Sequence, residues 1–134
     1  MIIKIAPDKE KAKSMLELIK DREKFILSLS INEISSTIIA ENYYEIIKEL
    51  ATIIALLDGF KATGENAHKE LIEYMSKYKE LSEDEVVLMN DLRIKRNKSS
   101  YEGKKIDKSY LENKKTKLLN IIAKLKNIVN NKLC

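Results

Sequence analysis

Apolar residues recur along this chain at the three-to-four-residue spacing of amphipathic α-helices, and polar residues fill the positions between them. The longest unbroken stripe predicts a central helix that ends at Asp58-Gly59. Its apolar positions are Ile39, Tyr43, Ile46, Ile47, Leu50, Ile53, Ile54 and Leu57. A second long stripe predicts a final helix with Asp107 as its N-cap. The buried face of that final helix is expected to consist of Leu111, Leu118, Ile121, Ile122, Leu125, Ile128 and Val129.

A shorter stripe predicts a first helix before the central one. This helix is expected to begin at Pro7, because proline is well accommodated in the first turn of a helix. Its apolar positions are Ala12, Met15, Leu16, Ile19, Ile26 and Leu29. Ser30 and Glu33 then have the spacing of a capping box, which predicts that the central helix begins there.

Two more helices are predicted between the central helix and the last one. The third follows Gly64, and the fourth begins with a Ser82–Glu85 capping box and ends at Gly103. Three glycines and one proline are too few for the turns of a many-stranded sheet. The sequence therefore predicts an all-α fold, an up-and-down antiparallel bundle of about five helices that forms a single domain over residues 1–134.

The amino-acid composition and the absence of certain motifs argue against several classes of protein. Cys134 is the only cysteine, so an intramolecular disulfide is excluded. The sequence has no glycine-rich phosphate loop, no paired catalytic carboxylates and no nucleophile motif, and we therefore predict neither a cofactor nor a metal site. The first residues are charged too early for a signal peptide, and no segment approaches the ~20 apolar residues of a membrane span. We expect a cytoplasmic protein, and the lysine and isoleucine bias suits a thermophile or an AT-rich genome.

Charge is distributed unevenly along the chain. The net charge is +4, but residues 93–134 carry +10 and residues 1–92 carry −6. A basic region of this kind is able to bind phosphate or an acidic partner. It is also compatible with pairing between the two halves of the molecule, or with a lysine-rich face that is simply solvated.

The fourth helix has an unusual face. The apolar stripe that begins at Val86 and Met89 turns polar further along the helix. The positions that continue the stripe hold Arg93, Arg96, Asn97 and Ser100. Buried arginine needs partners, so this end of the helix either protrudes into water or lines a cleft or a symmetric interface. Two of the three arginines in the chain are here, and the planar guanidinium suits the recognition of phosphate.

Residues 96–103 read Arg-Asn-Lys-Ser-Ser-Tyr-Glu-Gly, and this stretch resembles the signature Arg-Asn-x-x-x-His of the HEPN superfamily (higher eukaryotes and prokaryotes nucleotide-binding). The layout over residues 8–130 is also similar, including the central helix and a His68-Lys69 pair at the start of the third helix. In active members of this superfamily, Arg and His from two subunits meet in a cleft at the dimer interface and cleave RNA without a metal ion. The resemblance therefore implies a homodimer that binds RNA or a nucleotide.

The chain departs from the signature at one position, because Tyr101 stands where the superfamily has its catalytic histidine. Tyrosine phenols ordinarily have a pKa near ~10 and are poor general bases at neutral pH. The resemblance thus implies binding without the usual ribonuclease activity, and no catalytic residue is assigned. The RNA- or nucleotide-binding residues that it implies are Arg93, Arg96, Asn97 and Tyr101, surrounded by Lys95, Lys98, Lys104 and Lys105.

Other interpretations remain open at this stage. The resemblance implies a possible partner, a minimal nucleotidyltransferase, as in the toxin–antitoxin pairs of the superfamily. A ribonuclease in which Tyr101 or a nearby group replaces the histidine is one alternative, and a non-catalytic helical adaptor or dimerisation protein is another. The apolar residues Ile34, Ile38 and Ala51 of the second helix leave room for a dimer contact. His68, the only histidine, is interpreted as a helix-start residue with local hydrogen bonds.

Overall fold

The computed structural model describes residues 1–134 and contains five α-helices and one two-stranded sheet. The elements in chain order are β1 (Ile2–Lys4), α1 (Lys9–Leu27), α2 (Ser36–Asp58), β2 (Phe60–Ala62), α3 (Ala67–Met75), α4 (Glu83–Glu102) and α5 (Lys108–Leu133). The prediction of an all-α bundle of five helices is confirmed. None of the five helices is both long and apolar enough to cross a membrane.

Helices α2 and α4 run antiparallel. Their contacts pair Glu41 with Ser99 and Glu45 with Arg96, so residue numbers rise along one helix as they fall along the other. The same reasoning makes α2 and α5 parallel, because Ser36 at the start of α2 lies beside Ile106 just before α5, and Asp58 at the end of α2 pairs with Lys132 near the end of α5. Helix α3, with nine residues, is a short connection between long helices. Helices α2, α4 and α5 therefore alternate in direction, as predicted.

Helix α2 is the centre of the molecule and contacts each of the other four helices. All of its predicted apolar positions are buried except Leu57, which is partly exposed. The seven predicted core positions of α5 are buried without exception. Burial of an aliphatic side chain of this size stabilises the fold by about 1.5–3 kcal/mol. Regular apolar spacing therefore predicts the core faces of α2 and α5, whereas Met15, Leu16 and Leu29 of the first predicted stripe are only partly buried.

Two of the predicted helix starts are wrong. Helix α1 begins at Lys9, because the carboxylate of Asp8 caps it by accepting a hydrogen bond from the Lys11 amide at 2.9 Å. Helix α2 begins at Ser36, and Ser30 and Glu33 form no capping box. Instead, the side chain of Asn32 accepts hydrogen bonds from two backbone amides ahead of the helix and holds a turn there. The Ser82–Glu85 capping box at the start of α4 is confirmed.

The two-stranded sheet was not predicted from the sequence. Ile2 pairs with Ala62 and Lys4 pairs with Phe60, in antiparallel register. The left-handed conformation of Gly59 (φ 87°) ends α2 and leads directly into β2. A Cβ atom at Gly59 would lie 3.2 Å from the Ile5 carbonyl oxygen, so glycine also permits this close approach.

Candidate nucleic-acid interface

Arg96 lies on the side of α4 that faces α2. Its Nη2 atom is 3.3 Å from Glu45 Oε1, and its guanidinium lies 5.7 Å from the centre of the Tyr44 ring. The Arg96 side chain is 23% exposed. Arg96 is thus an ion-paired side chain at the edge of the bundle, and a phosphate would have to share it with Glu45.

Further polar side chains continue this α2–α4 groove. Ser99 donates a hydrogen bond to Glu41 Oε2 at 2.8 Å, and Lys48 pairs with Glu45 at 2.8 Å. Arg93 Nε donates to Asn90 Oδ1 at 2.9 Å. Glu45 therefore pairs with both Arg96 and Lys48, whereas Arg93 has only the neutral side chain of Asn90 as a hydrogen-bond partner.

The hydroxyl group of Tyr44 is buried beneath the groove and has no hydrogen-bond partner. Burial raises the pKa of Tyr44 to about 12, although Arg93 and Arg96 lower it in part. The phenol therefore stays protonated at neutral pH and acts as part of the core.

His68 lies at the start of α3, and the charged side chains of the α2–α4 groove are close enough to affect its pKa. Its side chain makes no hydrogen bond, in contrast to the expected local hydrogen bonds. Partial burial lowers the pKa of His68 below its ordinary value, and the positive charges of Lys48, Arg96 and Arg93 lower it further, against the effect of Glu45. The imidazole is thus biased toward its neutral form.

We expect the imidazole proton resonances of His68 to titrate with a pKa below 6.5. Lys48→Met should raise that pKa, because it removes a neighbouring positive charge and frees Glu45. NMR titration is unambiguous here, since the chain has one histidine. Lys69→Met is the matched control and should leave the pKa unchanged. A His68 pKa that does not respond to Lys48→Met would show that the groove charges do not reach the imidazole.

The four predicted lysines lie on a different surface, around the turn from α4 to α5. Lys95, Lys98, Lys104 and Lys105 line a cavity of about 210 Å³. Gly103 adopts the left-handed conformation (φ 66°), and the amide of Lys104 donates back to the Lys98 carbonyl at 3.2 Å. This reversal places the two lysines after the turn beside the two before it. We call these four residues the lysine cluster.

Few negative charges balance the lysine cluster. None of its four members forms a salt bridge, and Asp107 is the only carboxylate that lines the cavity. Lys95 instead lies over the ring of Tyr110, with Nζ 4.7 Å from the ring centre. Four ammonium groups around one depression create a positive potential that favours an anion.

Tyr110 was missed by the sequence analysis. Its hydroxyl donates to Asp91 Oδ2 at 2.8 Å, which ties α5 to α4 beneath the lysine cluster. Burial and the nearby Asp91 carboxylate raise the pKa of Tyr110, so this hydrogen bond is retained at neutral pH. In the sequence, Tyr110 is marked only by its position one turn after Asp107 in a predicted helix. That position does not distinguish a residue of a binding site from an ordinary surface tyrosine.

Asn97 and Tyr101 lie on the outer face of α4. Tyr101 is 79% exposed, whereas Asn97 is partly buried. At 100° per residue, Arg96 and Tyr101 are about 140° apart around the helix axis, so they do not converge within one chain. Tyr101 is closer in rotation to Lys98, about 60° away, so it is a neighbour of that one lysine on the helix surface but does not line the cavity.

No group of three or more His, Cys, Asp or Glu side chains is arranged to hold a metal ion. Comparison with protein-family models, with curated proteins and with solved structures finds no match for this chain. The function is therefore inferred from the residues themselves, and the lysine cluster beside Tyr101 has the clearest binding chemistry.

Proposed function

We propose that this protein is a HEPN-like module that binds single-stranded RNA at the turn between α4 and α5, without the ribonuclease activity that is usual in that superfamily. The observation that carries the proposal is the lysine cluster, four ammonium groups without salt-bridge partners around one surface depression. Lysines placed in this way neutralise phosphates and release counterions, which is the main source of affinity in sequence-independent nucleic-acid binding.

The shape of the site favours a nucleic-acid backbone over an enclosed nucleotide. A cavity of about 210 Å³ is smaller than the pockets of about 300–1,000 Å³ that enclose ligands of nucleotide size. The depression instead suits a strand that continues across the surface and places successive phosphates beside the four ammonium groups. The exposed ring of Tyr101, next to Lys98, is available to stack on a base of that strand.

The environment of Arg96 supports binding without cleavage. The guanidinium is paired with Glu45, and Tyr101 points away from it on the outer face of the helix. Arg96 is therefore already neutralised by a carboxylate, and the phenol that stands in the histidine position is a poor general base at neutral pH.

Homodimerisation is part of the same proposal. Ile34 and Ile38 are 87% and 52% exposed, and both lie at the end of α2 that is close to the α4–α5 turn. A second copy that covers them would bring two lysine clusters close to one dimer interface. Ala51, which was expected to contribute, is fully buried in the core and is unavailable for a contact between chains. A minimal nucleotidyltransferase of a toxin–antitoxin pair remains the proposed partner.

Replacement of Tyr101 tests the site. Tyr101→Ala should weaken binding of a fluorescent single-stranded RNA by about tenfold, because base stacking on an aromatic side chain contributes ~1–3 kcal/mol. Tyr101→Phe keeps the ring and should bind within about twofold of wild type. Fluorescence anisotropy measures both affinities, and a gel of the same samples reports the length of the RNA.

Three outcomes of these experiments would each contradict part of the proposal. Equal loss in Tyr101→Ala and Tyr101→Phe would show that the hydroxyl group matters and the ring does not. RNA cleavage that disappears in Arg96→Ala would make the protein a ribonuclease. No binding by the wild type at low salt would favour the helical adaptor.

A further inference from the structure

A second cavity lies at the opposite end of the bundle from the lysine cluster. It has a volume of about 260 Å³ and is bounded by α1, α2, α3, strand β2 and Ile5. Its apolar wall includes Met15, Leu56, Phe60 and Leu71. Along α2, the cavity begins at Thr52, 16 residues after Ser36 at the end beside Ile106, which is about 24 Å at a rise of ~1.5 Å per residue. The cavity is therefore independent of the proposed RNA site.

Apart from Thr52, the polar residues that line this cavity have nitrogen-containing side chains and no carboxylate. Lys11 from α1, Lys61 from β2 and His68 from α3 contribute to its lining, whereas no carboxylate does. Neither lysine forms a salt bridge or a cation–π contact. Two lysines without carboxylate partners beside an apolar cavity are able to attract an anion with an apolar body.

The volume limits the size of such a ligand. An apolar cavity of about 150 Å³ is sufficient to bind benzene. A cavity of about 260 Å³ therefore has space for one ring, or a branched chain of similar size, together with a small anionic head group. A long acyl chain is too large for it, and a sugar would find too few hydrogen-bond partners in the apolar wall.

We propose that this cavity binds a small organic anion that consists of one apolar ring or branched chain and a single carboxylate or phosphate group. The apolar body lies against Met15, Phe60 and Leu71, and the head group lies at the opening near Lys11 and Lys61. Since the two lysines come from α1 and β2, a bound anion bridges the sheet and the bundle.

Methyl NMR titration with benzoate, phenyl phosphate and neutral benzamide tests this proposal. Both anions should shift the methyl resonances of Met15, Ala62 and Ala67 in a saturable way, and benzamide should bind at least about fivefold more weakly because it lacks the charge. The stronger of the two anions identifies the preferred head group. Equal affinity for benzamide and benzoate, or no saturable shift with either anion, would overturn the proposal.

Two lysine variants separate a specific site from general attraction to a basic protein. Lys61→Met should weaken binding of the preferred anion at least threefold (roughly the effect of one exposed charge contact). Lys4→Met is the control, because Lys4 is an exposed lysine of the same sheet that does not line the cavity. Equal loss in the two variants would refute the assignment of the head group to this opening.

Discussion

A Lys98→Glu/Lys105→Glu double variant is expected to lose about 100-fold in affinity for single-stranded RNA at low salt. The substitutions remove two of the four ammonium groups of the lysine cluster and add two negative charges beside the remaining ones. Each lost phosphate contact also reduces the number of released counterions, so the salt dependence of binding should fall as well. Because neither lysine forms a salt bridge, the free energy of unfolding should change by less than about 0.5 kcal/mol. Fluorescence anisotropy measures the affinity, and urea unfolding measures the stability.

The matched control for this variant is Lys4→Glu/Lys9→Glu, which changes the net charge by the same amount. Both control lysines are exposed, form no salt bridge and lie near the end of α2 that carries Gly59, away from the lysine cluster. The control should bind RNA within about threefold of wild type, since any remaining effect comes from screened long-range charge. If the two double variants lose affinity equally, the protein binds RNA by net charge alone and has no site at the α4–α5 turn.

Asp58→Asn is expected to lower the free energy of unfolding by about 2–4 kcal/mol. Asp58 accepts hydrogen bonds from Lys132 at 2.5 Å, from Tyr74 at 2.7 Å and from Tyr78, and its side chain is 14% exposed. These contacts join the end of α2 to α3, to the segment after α3 and to the end of α5. An amide at this position leaves Lys132 without a counter-charge, and loss of one partner of a largely buried ion pair is strongly destabilising.

The pH dependence of unfolding gives a second measure of the same contacts. Burial alone would raise the pKa of Asp58, but hydrogen bonds from Lys132, Tyr78 and Tyr74 outweigh it and lower the pKa to about 2. A carboxylate with a lowered pKa stabilises the fold above its unfolded value of 3.8 and loses that contribution as the pH falls toward 2. At about 1.4 kcal/mol for each pKa unit, the contribution is about 2 kcal/mol.

The stability difference between wild type and Asp58→Asn should therefore be constant at neutral pH and shrink below about pH 4. Glu73→Gln is the control, because Glu73 is an exposed carboxylate of α3 that forms no salt bridge. It should change stability by less than about 0.5 kcal/mol. A difference for Asp58→Asn that stays the same down to pH 2 would mean that the carboxylate charge is not the stabilising feature.

The sequence was a good guide wherever the determining contacts are local or regularly spaced. The core faces of α2 and α5 follow from apolar spacing, and Gly103 places the lysines on either side of it close together. Strands β1 and β2 have three residues each, which is too short for an alternating pattern to be recognised. The start of α2 was misplaced because Asn32 forms a turn that competes with a capping box.

Contacts between residues that are distant along the chain could not be predicted from the sequence. Arg96 and Glu45 are 51 residues apart, and only the antiparallel packing of α2 and α4 brings them together. The same holds for Asp58 and Lys132, which are 74 residues apart. The resemblance to the HEPN signature singled out Arg96 and Tyr101 together, whereas the helical rotation between them sets the two side chains on different faces of α4. The cavity beside Lys11 and Lys61 likewise depends on a sheet that the apolar pattern does not reveal.

The most direct test of the central claim is the salt dependence of RNA binding by the wild-type protein. If the lysine cluster neutralises three to four phosphates of a single strand, a plot of the logarithm of the binding constant against the logarithm of the salt concentration should have a slope of about −2 to −3. Lys98→Glu/Lys105→Glu should reduce the magnitude of that slope by about 1–2. A wild-type slope near zero, or the absence of binding at low salt, would contradict RNA recognition by this surface.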